Sequence, residues 1–177
     1  ANREALRELQ TRLAERMQAA RREQRGQSWL AVECRGHGLL LPLEQAGEIF
    51  PPTALMPVPH TRDWFVGVAN LRGGLHGVVD LARFLGLPVA APAEAAREQS
   101  RLIAFSAALG LNCALLVDRL AGLRSSEQLR AEADLQHDDG PRPAFAGARW
   151  RDADGRGWQV LDLAALARDA QFLSIVA

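Results

Sequence analysis

The chain contains no lysine, since all 21 of its basic residues are arginine. Without lysine it can hold neither a Schiff-base nucleophile nor the lysine of a phosphate-binding P-loop. The 21 acidic residues balance the arginines, so the formal net charge is zero and no overall field attracts nucleic acid or anionic lipid. Partners are therefore expected to be recognised by local surfaces.

Cysteine and histidine are few, and their spacing does not suit metal binding. The two cysteines, Cys34 and Cys113, are far apart in the sequence, which is typical of reduced, packed thiols in a reducing compartment. The four histidines share no ligand spacing with one another or with the cysteines, so neither a metal nor another cofactor is expected. Catalytic patterns such as GxSxG, HExxH and GxGxxG are also missing from the sequence.

Long apolar runs are absent too. No window approaches 18 consecutive apolar residues and the N-terminus is charged, so neither a membrane span nor a secretory signal is predicted. The arginine cluster at Arg21, Arg22 and Arg25 is interrupted by Glu23 and has no interleaved aromatic residue, which disfavours nucleic-acid binding. We expect a cytoplasmic protein with no nucleic-acid partner and no direct insertion into a membrane.

Residues 3–23 have the period of an amphipathic helix. Apolar residues recur there at intervals of three and four, at Leu6, Leu9, Leu13, Met17 and Ala20. Glycine and polar residues over 21–28 end this pattern, so residues 1–28 are assigned to an N-terminal helix and linker. The apolar stripe either packs on the chain's own domain or docks on a partner, and the sequence leaves both possibilities open.

From Trp29 onward the sequence is typical of a mainly β domain, here 29–177, because short β-favouring runs alternate with glycine and proline. Three hairpins are predicted, namely WLAVECR with LLLPL, SRLIAF with CALLV, and AGARW with WQVLDL. Trp150 and Trp158 are expected to pair across the last hairpin. The DADG motif that begins at Asp152 lacks the glutamate of a calcium loop at its twelfth position, so it is interpreted as a hairpin turn.

An imperfect internal repeat divides this domain. RGGLHGVVDLARFL parallels RGWQVLDLAALA with Asp80 and Asp162 82 positions apart, and LLLPLEQAGEI parallels CALLVDRLAGL at an offset of 75. Both aspartates lie between an apolar strand and a helical turn, where they are expected to cap a helix. We infer two similar β subdomains, about 29–92 and about 97–177, which pack together because each is too small to hold much core alone. A connector over 88–99 and an exposed loop over 132–143 are also predicted.

One segment carries a family resemblance. GVANLRG followed by VVDL, with AGEI upstream, resembles the CheW family of chemosensory adaptors, whose members show a similar Gly-Val-x-Asn-Leu-Arg-Gly run and Val-Asp-Leu strand end. It extends over residues 29 to about 170 and implies a mainly β fold of two packed five-stranded β-barrels. The N-terminal helix and the ending LARDAQFLSIVA, which includes a short C-terminal helix, look most like the adaptors of type IV pilus twitching systems. Gly77 departs from the family, which commonly has proline there.

The resemblance implies a non-enzymatic adaptor between the signalling tips of methyl-accepting chemoreceptors and the regulatory domain of a CheA-type histidine kinase. In that family the receptor helix lies in a groove between the barrels, and the matching positions here are Glu48, Ile49, Asn70, Leu71 and Arg72. Maintenance of the fold is the alternative role for these residues. Alternative functions are flagellar chemotaxis coupling, a CheW-like domain cut from a larger kinase or coupling protein, and a small hydrolase or nucleotide-binding enzyme.

Arg72 lies within an apolar run, where an arginine is seldom buried without a partner. The family pattern places a glutamate in the Glu-Ile pair, here Glu48, and a separation of 24 residues is enough to return from one strand to its neighbour in a small barrel. We therefore predict a partly buried ion pair between Arg72 and Glu48 at the groove between the barrels, in which the guanidinium fixes the NLRG turn.

Overall fold

A computed structural model describes residues 2–24, 26–88, 95–132 and 142–177. The strands are β1 (Ser28–Cys34), β2 (His37–Pro42), β3 (Ala46–Phe50), β4 (Phe65–Leu71), β5 (Gly74–Asp80), β6 (Arg101–Phe105), β7 (Cys113–Val117), β8 (Arg119–Ser125), β9 (Arg130–Ala131), β10 (Ala146–Arg151) and β11 (Gly157–Leu161). The helices are α1 (Asn2–Gln24), α2 (Leu81–Phe84), α3 (Ala95–Gln99), α4 (Leu163–Leu166) and α5 (Ala170–Leu173). Most of the predicted connector and loop, at 89–94 and 133–141, lies outside the described residues.

The strands form two sheets, which confirms the mainly β fold with an N-terminal helix and short C-terminal helices. The six-stranded sheet has the order β8-β1-β2-β11-β10-β9, and the five-stranded sheet has the order β3-β6-β7-β5-β4. The sixth strand of the larger sheet, β9, is only two residues long. Among the described residues, no helix is long and apolar enough to cross a membrane.

All three predicted hairpins are present. β1 pairs with β2, β6 with β7 and β10 with β11, each antiparallel. Trp150 and Trp158 are cross-strand partners, as predicted. The Asp152 carboxylate accepts hydrogen bonds from the Trp158 Nε1 and from the backbone N–H groups of Asp154 and Arg156, so DADG is a hairpin turn held by its first aspartate.

The two repeats exchange strands between the sheets. In the repeat alignment β1, β2, β3, β4 and β5 correspond to β6, β7, β8, β10 and β11. The six-stranded sheet combines β1 and β2 of the first repeat with β8, β10 and β11 of the second, and it also includes β9. The five-stranded sheet combines β6 and β7 of the second repeat with β3, β4 and β5 of the first. Each sheet contains one parallel pair, β2 with β11 in the larger sheet and β5 with β7 in the smaller. The subdomain boundary predicted at about residues 92–97 lies between the two repeats in the sequence. Each sheet nevertheless contains strands from both repeats.

The central strands bury both of their faces, because alternate residues of a strand point to opposite sides. On β1, Leu30, Val32 and Cys34 belong to a large core cluster that also includes buried residues of the five-stranded sheet, so this core lies between the sheets. Trp29 and Ala31 belong to a smaller cluster within the six-stranded sheet. The five-stranded sheet has its own small cluster, with Ala69, Leu71, Val78, Leu102 and Ala114. The fold thus has one shared core and two separate small ones.

The predicted caps are confirmed at both aspartates. Asp80 accepts a hydrogen bond from the Arg83 backbone N–H, and Asp162 accepts one from the Ala165 backbone N–H. The start of α4 has a second cap that sequence reasoning missed, because the Gln45 Oε1 accepts from the Leu163 backbone N–H at 2.7 Å. This long-range contact joins the turn after β2 to the helix after β11.

The C-terminal helix α5 is fixed by aromatic packing. Phe172 is buried, and its ring contacts those of Phe84 and Phe105 at centroid distances of 5.2 and 5.9 Å. Trp64 stacks on the same ring at 6.2 Å. The end of the chain is therefore part of the shared core.

The N-terminal helix α1 is different, because every residue from Asn2 to Met17 is exposed. Leu6, Leu9, Leu13 and Met17 of the predicted stripe are between 53% and 57% exposed. The structure therefore does not show the stripe packed on the chain's own domain, and docking on a partner is the possibility that stays open.

Removing residues 1–25 is expected to change the free energy of unfolding by less than about 0.5 kcal/mol, because residues 2–17 are exposed and exposed residues contribute little to stability. The truncated chain has to begin at Gly26, since the carbonyls of Gln27 and Ser28 accept hydrogen bonds from Ser126 and Leu43. A matched truncation that begins at Trp29 removes both acceptors and should cost about 1–3 kcal/mol. Thermal unfolding of both chains is the measurement, and loss of a cooperative transition in residues 26–177 would contradict the expectation.

A charged cluster ties β1 to β8 and to the β10–β11 turn. The Glu33 carboxylate accepts a hydrogen bond from the Arg119 Nε at 2.8 Å. It also forms ion pairs with the Arg119 Nη2 at 2.7 Å and with the Arg156 Nη1 at 2.5 Å. Arg156 also lies over the Trp158 ring, with its guanidinium carbon 4.6 Å from the centroid. The hydrogen bonds from Arg119 lower the pKa of Glu33 below its ordinary value of 4.5, against the opposing effect of burial.

Glu33→Gln is expected to lower the free energy of unfolding by about 1–2 kcal/mol at pH 7, because hydrogen bonds to a charged group are lost. The lowered pKa means that the ionised carboxylate stabilises the fold above pH 4.5, and that this contribution disappears as the pH falls through the folded-state pKa. The wild-type chain should therefore lose more stability than the variant between about pH 5 and pH 3. Urea unfolding across this range checks it, with the exposed Glu127→Gln as control, and parallel pH curves for wild type and Glu33→Gln would contradict it.

Candidate partner-binding site

The predicted ion pair between Arg72 and Glu48 is present, with the Arg72 Nη2 2.8 Å from the Glu48 Oε1. Glu48 lies on β3 and Arg72 lies in the turn between β4 and β5, and β3 and β4 are the two edges of the five-stranded sheet. Phe50 of β3 and Val66 of β4 pack against the same small core cluster. The sheet therefore curls until its edges approach each other, and the ion pair bridges them.

The expected burial of this pair is wrong. The Arg72 side chain is 77% exposed and the Glu48 side chain is 42% exposed. Arg72 is exposed because it occupies a hairpin turn rather than the apolar strand that precedes it. An exposed pair of this kind contributes only about 0.2–1 kcal/mol to stability, so its two charged groups are available to a partner at little cost to the fold.

The backbone of Arg72 is in the left-handed region, with φ of 49°, and Gly73 follows with φ of 77°. Positive φ at both central residues is the type I′ turn, which favours Asn-Gly or Gly-Gly. Arginine is therefore a poor choice for this turn, with a local cost of about 1 kcal/mol. Backbone strain of this kind is often found at functional sites.

A backbone irregularity also places Glu48. From Ala46 to Ile49 the strand β3 advances three residues while its partner β6 advances two, from Phe105 to Ile103, which is a β-bulge. Gly47 permits the bulge, because a Cβ there would approach the Phe105 carbonyl oxygen to 2.9 Å. A bulge redirects the neighbouring side chain, and here Glu48 reaches Arg72 across the gap between the sheet edges.

The other three predicted site residues divide between surface and core. Asn70 is exposed and Ile49 is 39% exposed, so both lie on the surface near the ion pair. Leu71 is only 3% exposed and packs in the small cluster of the five-stranded sheet. Because Leu71 is buried, a partner would contact the residues around it rather than its side chain. The buried position of Leu71 supports the alternative role, which is maintenance of the fold.

Leu75 belongs to this surface but was not predicted. It is 61% exposed and is the cross-strand partner of Asn70. Leu75 and Val79 point to the same side of β5, and Val79 is buried in the core between the sheets. The surface around Asn70 and Leu75 thus lies at the rim of the shared core. LHGVV has apolar residues on both sides of the strand, so no alternation marked Leu75 as exposed.

The described residues hold no group of histidine, cysteine and carboxylate side chains suited to a metal ion. Burial raises the pKa of Cys34 and of Cys113 to about 12, so neither thiol is nucleophilic near neutral pH. A cleft of about 520 Å³ is lined by His37 and several arginines but by no serine, threonine or cysteine.

Comparisons with known proteins found a matching family, a similar sequence and a similar structure. A family described as the CheW-like domain matches residues 28–171. Protein PilI of Pseudomonas aeruginosa is 30% identical over an alignment of 158 residues that covers 84% of this chain and 81% of PilI. The crystal structure of the scaffolding protein TtCheW from Thermoanaerobacter tengcongensis superposes with a TM-score of 0.61 at 18% identity, covering 77% of this chain and 88% of that one. The last likeness is one of fold.

Proposed function

The chain belongs to the CheW-like domain family, and on that basis we propose that it is a non-enzymatic adaptor that couples methyl-accepting chemoreceptors to a CheA-type histidine kinase. The receptor contributes the helical signalling tip and the kinase contributes its regulatory domain. The adaptor works by binding and positioning, so no catalytic group of its own is involved. It acts at the cytoplasmic ends of the receptors.

The observation that carries this proposal is the exposed ion pair between Arg72 and Glu48. Two unfavourable backbone features, a strained arginine in the β4–β5 turn and a glycine-dependent bulge in β3, bring these charges together on the surface. Ile49, Asn70 and Leu75 surround them with apolar and amide groups. Such a combination of a charged pair and exposed apolar side chains suits a helix that has both apolar and polar residues on one face.

The likeness to PilI supports control of type IV pilus motility as the pathway. It covers 84% of this chain and 81% of PilI. A flagellar chemotaxis role is the alternative, and the partner proteins that bind the chain distinguish the two.

The test is direct binding of the purified chain to a receptor-tip fragment and, separately, to the regulatory domain of the kinase from the same organism. Both should bind, and Arg72→Asn should weaken receptor binding. Arg35→Asn is the matched control, because Arg35 also has positive φ and precedes a glycine in a hairpin turn, but in the six-stranded sheet. Failure of the wild-type chain to bind either fragment, or equal loss in both variants, would refute the proposal.

A further inference from the structure

The N-terminal helix α1 presents an apolar stripe that the proposed function does not use. Leu6, Leu9, Leu13 and Met17 project from one side of the helix, and each is more than half exposed. Exposure of this stripe to water is unfavourable, because full burial of each leucine or methionine side chain would stabilise it by about 1.5–3 kcal/mol. The question is what covers it.

The charges on α1 are not mixed at random around the helix. At about 100° per residue, Arg12 and Arg16 lie on one side of the stripe and Arg3 and Arg7 on the other, each within about 120° of its centre. By the same period the three glutamates within residues 2–17, Glu4, Glu8 and Glu15, gather on the opposite face of that stretch, about 140° or more from that centre. The apolar stripe is thus bordered by arginine on both sides.

We propose that α1 docks in an apolar groove of a partner protein whose two rims carry aspartate or glutamate. Leucine and methionine at positions 6, 9, 13 and 17 would fill the groove, as in other helix-in-groove complexes. The flanking arginines would reach the rims, where a guanidinium pairs with a carboxylate through two parallel hydrogen bonds. The glutamates would face the solvent. This interaction is additional to the one at Arg72 and does not depend on it.

The arrangement of charge argues against a second copy of the chain as the occupant. Two α1 helices that met stripe to stripe would bring arginine against arginine on both sides of the contact, and like charges at such positions destabilise a helix pair. A lipid surface fits poorly as well. The helix lacks the aromatic residues that are typical of interfacial helices.

The experiment places the photo-cross-linking residue p-benzoylphenylalanine at Leu13 of the full chain, which is expressed in the cells that normally make it. A matched chain carries the same residue at Glu8, on the opposite face. Irradiation should join position 13 to one protein, at a segment in which apolar residues are bordered by aspartate or glutamate. Position 8 should give at least about 10-fold less of this product, and so should position 13 combined with Arg12→Glu and Arg16→Glu.

Four results would overturn the inference. These are cross-links only to lipid, cross-links only to a second copy of the chain, a yield no higher than that from position 8, and a product that does not depend on Arg12 and Arg16. Because residues 2–17 are exposed, all variants should keep the wild-type melting temperature. Receptor binding measured on the same variants should be unchanged, which separates this inference from the function proposed above.

Discussion

Arg72→Asn is expected to weaken binding of the chemoreceptor tip by at least about 10-fold, which corresponds to about 1.4 kcal/mol. The guanidinium has five N–H donors, so it can pair with Glu48 and still donate to the partner, whereas asparagine carries no charge. The melting temperature should stay the same or rise slightly, because asparagine tolerates the positive φ that Arg72 adopts. Isothermal titration and thermal unfolding of the same protein measure the two effects.

A double-mutant cycle shows whether the two charges act together. Arg72→Ala and Glu48→Ala should each weaken receptor and kinase coupling more than they lower the melting temperature, and the double variant should lose less binding than the sum of the two. Strictly additive losses would mean that the 2.8 Å contact has no role in binding. A fall in stability as large as the fall in binding would mean that Arg72 serves the fold instead.

Separating the chain between Pro88 and Ala95 is expected to abolish folding of both fragments. Four strand pairings cross this division, β1 with β8, β2 with β11, β3 with β6 and β5 with β7. In each fragment alone, four strands would lose a neighbouring strand, and the fragment's part of the shared core would be exposed. Circular dichroism should therefore show no cooperative thermal transition for either fragment.

The same fragments provide the control for this prediction when they are produced together. We expect a 1:1 complex with a cooperative transition, because every pairing and the shared core can form between two chains. Cooperative unfolding of an isolated fragment would contradict the exchange of strands between the repeats. It would instead favour two subdomains that are continuous in sequence.

Local features of this fold could be read from the sequence because they depend on neighbouring residues. Alternation and turn residues predicted the three hairpins, including the pairing of Trp150 with Trp158. The position of an aspartate between a strand and a helical turn predicted both caps. The Arg72–Glu48 contact was predicted from the resemblance to a family, not from local pattern.

The remaining features depend on where distant segments meet. The repeat indicated two similar units but not that they exchange strands, since either arrangement satisfies the same alternation. The exposure of Arg72 follows from its position in the turn, and an apolar sequence context suggested burial instead. The cap from Gln45 to α4 joins residues 118 positions apart and left no local signal.

The central claim is best tested by control of the kinase. Membranes that contain the receptor are mixed with the full-length CheA-type kinase, and autophosphorylation is measured with and without receptor stimulus. The account predicts that the stimulus changes the rate only when this chain is added, and that the chain with Arg72→Asn restores much less of the response than the chain with Arg35→Asn. The same stimulus response without the chain, or none with it although it binds both partners, would contradict the account.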